Sequence, residues 1–261
     1  MSHWADRLFR EQADLFAEHF EDMFAAADAE VDNLLDLLAA EFDCEPERPL
    51  DVACGVGRHA LALADRGVDA EGLDFSEPFL DRARERADDR GLDELTAFHH
   101  GDMRDLDELS ENGGLSGGYD LITVFWNSLG YYGRETDEQI LADARELLAE
   151  DGVLVVEQSN RDAFVADFDE ATVTEDGDRL TLYRQEFDVE TSRFATTLDV
   201  FDTAGEGYEH VDTMEWENRL YAPPVLRELC ERAGFEDVTL LGGFDGSDLT
   251  LESTRLVVVA R

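Results

Sequence analysis

Lysine is absent from this chain. All 21 basic residues are arginine, and they face 64 aspartates and glutamates for a formal net charge of −43. A surface that acidic repels phosphate backbones and anionic lipid, which excludes nucleic acid and membranes as expected partners. Cysteine is scarce as well. Cys44, Cys54 and Cys230 are odd in number and lack CxxC or Cys/His ligand spacing, so neither a disulfide framework nor a metal site is expected. No apolar run approaches the roughly 20 residues needed to cross a bilayer. Met1 to Arg10 lacks the basic start and apolar core of a signal peptide, and the expected location is the cytoplasm. Repeats and low-complexity tracts are missing too. The 43% hydrophobic content over 261 residues suffices for one sizeable α/β domain with an elaboration.

What the chain does have is concentrated at Pro49 to His59, reading PLDVACGVGRH. Leu50 to Ala53 reads as the end of a buried strand, Cys54 to Gly57 as a tight turn, and Arg58 to Arg66 as a helix whose first N–H groups point outward. Gly55 and Gly57 lack a Cβ, which admits positive φ and lets a ligand lie against the backbone. Two cofactor classes compete for such a turn. Gly55-Val-Gly57-Arg-His-Ala60 fits G-x-G-x-x-A, and Asp74 follows about 20 residues later, as a dinucleotide fingerprint asks. Asp51 points elsewhere. It makes the run D-x-A-x-G-x-G, where a carboxylate orients the loop and meets the cationic amino group of S-adenosylmethionine, a ligand without a pyrophosphate.

Further acids stand at successive strand ends, where open α/β sheets bind ligands. Asp69 to Asp74 is a short strand closing on a carboxylate that can accept both ribose hydroxyls from the rim of the fold. Phe75-Ser76-Glu77-Pro78 then opens a helix with a cap and an early proline. Leu95 to His100 ends in Gly101-Asp102-Met103, placing an acceptor for an adenine amine beside an apolar cover. Tyr119 to Phe125 is a fourth strand, followed by Trp126-Asn127-Ser128.

The runs LDVACGVGRHALALADRG, GLDFSEPFL, GDMRDL, FWNSLGYY, RLY and AGFEDV resemble the class I S-adenosylmethionine-dependent methyltransferases, in particular a small-molecule branch with an added antiparallel sheet. The resemblance implies an α/β fold with a Rossmann-like, mostly parallel seven-stranded sheet, an N-terminal helical cap and an inserted antiparallel sheet. It implies that Asp51, Ala53, Cys54, Gly55 and Gly57 surround the methionine moiety, that Asp74 and Phe75 hold ribose and adenine, that Asp102 and Met103 hold adenine, and that the Phe125 carbonyl meets the amino group. Asn127, Tyr131, Tyr132, Arg219 and Tyr221 match substrate-facing positions. Ala53 departs from the glycine often found there, and its methyl is tolerated if its φ is negative.

Around that centre, Phe9, Phe16, Phe20 and Met23 recur near helical spacing, and Val31, Leu34, Leu35 and Leu38 mark a second helix. In the resembling family this pair lies across the cofactor mouth, so Trp4 and Phe9 are candidates for the substrate entrance. Between Ser159 and Leu220 the helical pattern stops. Arg179 to Glu190, Arg193 to Thr203 and Tyr208 to Leu220 alternate as antiparallel strands do, after a fifth strand expected at Val153 to Glu157. The expected division is residues 1–45 as helical cap, 46–158 with 221–261 as the cofactor-binding domain, and 159–220 as the inserted sheet.

Methyl transfer from a sulfonium needs a nucleophile held in line with the methyl carbon more than it needs an acid or base. No catalytic base stands out among His3, His19, His59, His99, His100 and His210. Trp126-Asn127-Ser128 lacks the N/D-P-P-Y/F expected of base-amine methylation. Arg219 could meet a substrate carboxylate. The leading expectation is methyl transfer to N or O of a small molecule; an NAD-dependent oxidoreductase and a non-catalytic S-adenosylmethionine binder are the alternatives.

The acid excess also resembles that of proteins from salt-accumulating halophiles, whose carboxylates hold water while dense cations screen their repulsion. A GC-rich genome accounts for arginine in place of lysine but not for the acids. At a charge of −43, self-repulsion is tolerable at ~1 M salt, where the screening length is ~3 Å, and not at ~10 mM, where it is ~30 Å. Circular dichroism is expected to show loss of structure on dialysis into millimolar buffer; an unchanged spectrum rejects the halophile reading.

Overall fold

In the computed structural model, residues 4–205 and 207–261 are described, with the side chains of residues 18–25 and 176 left out of that description. Seven strands form one sheet: β1 (Pro49–Val52), β2 (Ala70–Asp74), β3 (Thr96–His100), β4 (Tyr119–Val124), β5 (Leu148–Ser159), β10 (Val238–Leu241) and β11 (Arg255–Ala260). Their order is β3-β2-β1-β4-β5-β11-β10, with β1 to β5 parallel and β11 antiparallel to both its neighbours. This is the mostly parallel, seven-stranded architecture expected from the sequence.

The central strands read as near-continuous apolar runs because both their faces are covered. Leu50, Val52, Ile122, Val124, Leu154, Val156 and Val258 face one way, into a core shared with α6 (Arg134–Leu147) and α8 (Pro223–Arg232). The alternate residues Leu121, Val153, Val155, Val257 and Val259 face the other way, onto Leu34 and Leu38. Those two leucines belong to α2, a helix of 29 residues spanning Ala13–Glu41. Two helices were expected here; with no glycine or proline inside the stretch, nothing breaks the first before the second begins. A single turn, α1 (Trp4–Asp6), and a π-helical segment, Arg7–Glu11, precede it. The side chains of Phe20, Met23 and His19, and all of His3, lie outside the described residues.

Helices α3 (Arg58–Ala64), α4 (Glu77–Arg90) and α5 (Leu106–Glu111) follow β1, β2 and β3 in turn. α4 is capped by Ser76, whose hydroxyl accepts from the Phe79 N–H at 3.4 Å. β5 starts at Leu148 rather than Val153, since Gly152 sits within a strand interrupted by a shift of register against β4.

The second sheet is antiparallel: β6 (Ala171–Asp176), β7 (Arg179–Asp188), β8 (Arg193–Ala204) and β9 (Gly207–Arg219), in that order, after a short helix α7 (Arg161–Ala166). β6 escaped the sequence reading because ATVTED carries little apolar alternation and lies exposed at an edge. Leu198, Val200 and Met214 of this sheet pack on Ala5, Leu8, Phe9, Ala13 and Phe16, so the N-terminal segment is the mortar between the two sheets. Among the described residues no helix is long and apolar enough to cross a membrane.

Gly57 sits where this packing is tightest. Its φ is +78°, and a Cβ there would lie 2.8 Å from the Ala83 Cβ and 2.9 Å from the Phe98 ring. Its missing Cβ therefore serves the seating of α3 on α4 and β3. Gly57→Ala is expected to lose about 2 to 5 kcal/mol, combining left-handed strain with overpacking. Gly67→Ala, with φ of +82° and open space around its Cβ position, should lose only the strain of about 1 to 2 kcal/mol. Thermal melts of both in molar salt test this, and equal shifts would reject the packing role.

Candidate active site

The turn after β1 reverses the chain through three left-handed residues, Ala53 (φ +59°), Gly55 (φ +58°) and Gly57 (φ +78°). The negative φ that would let the Ala53 methyl sit without strain is thus not adopted. An L-residue in this region is strained by about 1 to 2 kcal/mol, and the surrounding contacts hold it there. One of these is the Asp74 carboxylate. Its Oδ2 accepts from the Gly55 N–H at 2.8 Å and its Oδ1 from the Ser76 N–H at 2.8 Å, tying the turn to the start of α4. Asp74 is 6% exposed, so the expectation of a carboxylate at the rim is also corrected. Two backbone donors draw it inward.

A cavity of about 830 Å³, counted with the solvent in its open mouth, lies over this turn at the carboxyl ends of β1 to β4. Asp51, Ala53, Cys54, Gly55, Asp74, Phe75, Asp102, Met103, Phe125, Tyr131 and Tyr132 all line it. Gly57, Asn127, Arg219 and Tyr221 do not. Asn127 turns its amide away, accepting from the Ser159 N–H at 2.7 Å. Tyr221 is buried in the main core with its hydroxyl donating to Asp137. Arg219 keeps company with Tyr221, its guanidinium 6.0 Å from that ring.

On the floor of the cavity Asp51 is 3% exposed. Its Oδ1 accepts from the Thr123 hydroxyl at 2.7 Å, while its Oδ2 is buried with no hydrogen-bond partner. Burial pushes its pKa up, against the pull of nearby His59 and the Thr123 bond. At the far end, Asp102 accepts from the Arg104 backbone N–H and, at 2.6 Å, from its guanidinium. Although burial opposes it, Arg104 holds that carboxyl below the usual range.

The opposite wall is aromatic. Phe9, Phe16, Phe79, Trp126, Tyr131 and Tyr132 line it, with Trp4 edge-on to Tyr131 at 5.0 Å between ring centroids. Trp126 and Asn127 are both left-handed, at φ +61° and +60°, and the Trp126 N–H donates to Glu157 at 2.9 Å. Trp126, Ser128, Arg58, Phe16 and Phe79 were not singled out as site residues from sequence. The bulky FWNS run directly after a strand was the available signal for the first two.

Among the histidines, His59 lines the cavity and stands 2.9 Å from Glu30. His99 is paired with Glu71, His100 lies 3.0 Å from the Phe75 carbonyl, and His210 contacts Thr213.

Residues 50–152 match a methyltransferase domain family. This is a methyltransferase that uses S-adenosylmethionine. An aminosugar N,N-dimethyltransferase acting on dTDP-3-amino-3,6-dideoxy-α-D-glucopyranose, from Streptomyces fradiae, is 38% identical over 110 residues, 41% of this chain and 38% of that protein. A glycine/sarcosine N-methyltransferase from Aphanothece halophytica is 25% identical over 203 residues, 76% of this chain and 69% of that one. The solved CcbJ methyltransferase from Streptomyces caelestis superimposes with a TM-score of 0.76 at 25% identity, covering 90% of this chain and 91% of its own.

The cavity of the methyltransferase fits that cofactor better than it fits a dinucleotide. A pyrophosphate above the α3 N-terminus would face the carboxylates of Asp51 and Asp74, whereas the unpartnered Asp51 oxygen suits a cation.

Asp74 gives the methyltransferase a pH signature of its own. Burial pushes its pKa up to about 6 from an ordinary 3.8, opposed by the two backbone N–H bonds and reinforced by Asp51. A carboxyl whose pKa rises on folding favours the folded state while protonated. Its contribution is fully present below pH ~4 and is lost as the pH climbs through ~6. Melts of wild type and Asp74→Asn in molar salt should show the wild type losing about 2 to 3 kcal/mol relative to the variant across that window. A difference that stays constant with pH would place the Asp74 pKa at its ordinary value.

Proposed function

We propose that the protein transfers a methyl group from S-adenosylmethionine to a nitrogen of a small molecule. The observation that carries the reading is the unpartnered, buried Oδ2 of Asp51 at the floor of an aromatic-walled cavity. In this reading Asp51, Ala53, Cys54 and Gly55 hold the methionine end with the Phe125 carbonyl, Asp74 and Phe75 the ribose, and Asp102 and Met103 the adenine. Each Asp74 oxygen has one lone pair engaged by the backbone and one left for a ribose hydroxyl. When bound, S-adenosylmethionine supplies a methyl carbon made electrophilic by its sulfonium.

The chain's own contribution is placement and exclusion of water. Phe9, Phe16, Trp126 and Tyr131 form an apolar wall in which an acceptor amine sheds its hydration. Burial pushes the Tyr132 hydroxyl up to about 12, with Asp102 adding to the rise, and pushes Tyr131 higher still. Both tyrosines therefore stay protonated and orient the acceptor by hydrogen bonding instead of taking its proton. Nitrogen is favoured over oxygen by the relatives named for aminosugar N,N-dimethylation and for glycine and sarcosine N-methylation. We further propose a cytoplasmic, high-salt setting, supported by the charge of −43.

Incubation in ~2 M salt with methyl-labelled cofactor and a panel of aminosugars, small amino acids and their hydroxyl analogues tests the reading. Label is expected on amines only, with S-adenosylhomocysteine released; label confined to hydroxyl acceptors overturns the nitrogen assignment. Asp74→Ala should weaken cofactor binding on the order of a hundredfold, since charge-assisted hydrogen bonds contribute roughly 1.5 to 3 kcal/mol each. Asp69→Ala, at an exposed position before β2, should change it by no more than a few-fold. Calorimetric titration with melts alongside separates lost binding from a loosened turn, and unchanged affinity in Asp74→Ala would move the ribose site elsewhere.

A further inference from the structure

One set of charges at the cavity floor is left unused by the contacts to ribose, adenine and amino group. Arg58, the first residue of α3, lines the cavity although it is buried. Its Nη1 donates to Glu30 Oε2 at 3.2 Å, and the same oxygen lies 2.9 Å from His59 Nε2. The other Glu30 oxygen pairs with Arg255 at the start of β11, and Arg255 in turn stands 3.8 Å from Glu157. Glu30 is thus one carboxylate shared between two guanidinium groups and an imidazole. It neutralises neither guanidinium alone.

A guanidinium carries five N–H donors in a flat fork, and Glu30 engages Arg58 only through Nη1. The rest of the fork belongs to the cavity that Arg58 lines. Its Cζ lies 5.6 Å from the centre of the Trp126 ring, which limits where the group can swing. Asp51, with its unpartnered oxygen, stands in the same floor. Burial shifts both groups toward neutrality, lowering the pKa of Arg58 and raising that of Asp51, as it does for charges short of a counterion. Two opposite, incompletely paired charges on one floor match a ligand end that carries an ammonium and a carboxylate on a single carbon.

We propose that Arg58 binds the carboxylate of the cofactor's methionine end opposite Asp51 and its ammonium, and that Glu30 is the positioning residue that keeps the Arg58 fork turned into the cavity. The proposal rests on the cofactor reading of this cavity. It gives the long helix α2 an indirect part in cofactor binding, through Glu30 and Arg58.

Titration of the full chain in ~2 M salt with S-adenosylhomocysteine and with its decarboxylated analogue, which keeps adenosine, thioether and amine, isolates the carboxylate contact. Wild type should prefer the intact ligand by roughly ten- to a hundredfold. In Arg58→Gln the two ligands should bind within a few-fold of each other, and Glu30→Gln should give an intermediate ratio. Because the readout is a ratio, a general loss of affinity does not imitate it. Equal binding of the two ligands by wild type overturns the proposal without any variant, as does a wild-type ratio in Arg58→Gln. Should Arg58→Gln fail to fold, an unchanged ratio in Glu30→Gln overturns the positioning role. Wild type that binds neither ligand defeats the cofactor reading itself, and the proposal with it.

Discussion

Everything at the carboxyl edge of the large sheet depends on two hydrogen bonds to one buried carboxylate. Asp74 holds the Gly55 and Ser76 N–H groups, and so fixes both the left-handed turn after β1 and the first turn of α4. A buried acid with its pKa pushed toward neutrality is an unfavourable group to keep. It is held there by the two N–H groups it accepts from, and it helps to fix a turn in which Ala53 is strained at φ +59°. Strain concentrated at a ligand-facing turn and offset by surrounding packing is a familiar arrangement at functional sites.

Much of the large sheet was legible in the sequence because parallel strands covered on both faces have little choice of residue: LITV and LVVV admit few other readings. Asp51 stood out for the same reason, as an acid in a strand that should be apolar. Other features were hidden by competing physics. The φ of Ala53 could not be read from a residue that tolerates many conformations. The depth of Asp74 and the crowding around Gly57 were hidden because position along a strand says little about depth, and a glycine gives no hint of which side its missing Cβ would crowd. Tyr221 and Asn127 followed the resemblance into the site, while in the structure their polar atoms are taken by Asp137 and by the Ser159 backbone. Trp126 and Arg58 were passed over because an indole and a guanidinium beside a turn are ordinary until both are known to border a cavity.

The acidic surface and the polar floor follow different rules. Exposed pairs such as Arg82 with Asp14 or Arg84 with Asp81 lie in solvent, where screening leaves each worth little. Glu30, Arg58, His59, Glu157 and Asp51 are buried, and there a charge without a partner weighs far more than any surface pair. The same composition that makes the exterior so acidic thus leaves the interior governed by a handful of specific contacts.

The unbroken length of α2 has a mechanical meaning. Phe16 near its start meets Trp216 of the small sheet at 6.1 Å, and Glu30 further along grips the floor beneath the turn. The two lie 14 residues apart, roughly 21 Å along a helix axis. A helix without a break transmits displacement as a stiff rod and can neither shorten nor hinge between those points. One unbroken helix therefore sets the spacing between the contact under the small sheet and the charges beneath the turn, and Leu34 and Leu38 anchor it against the back of the large sheet.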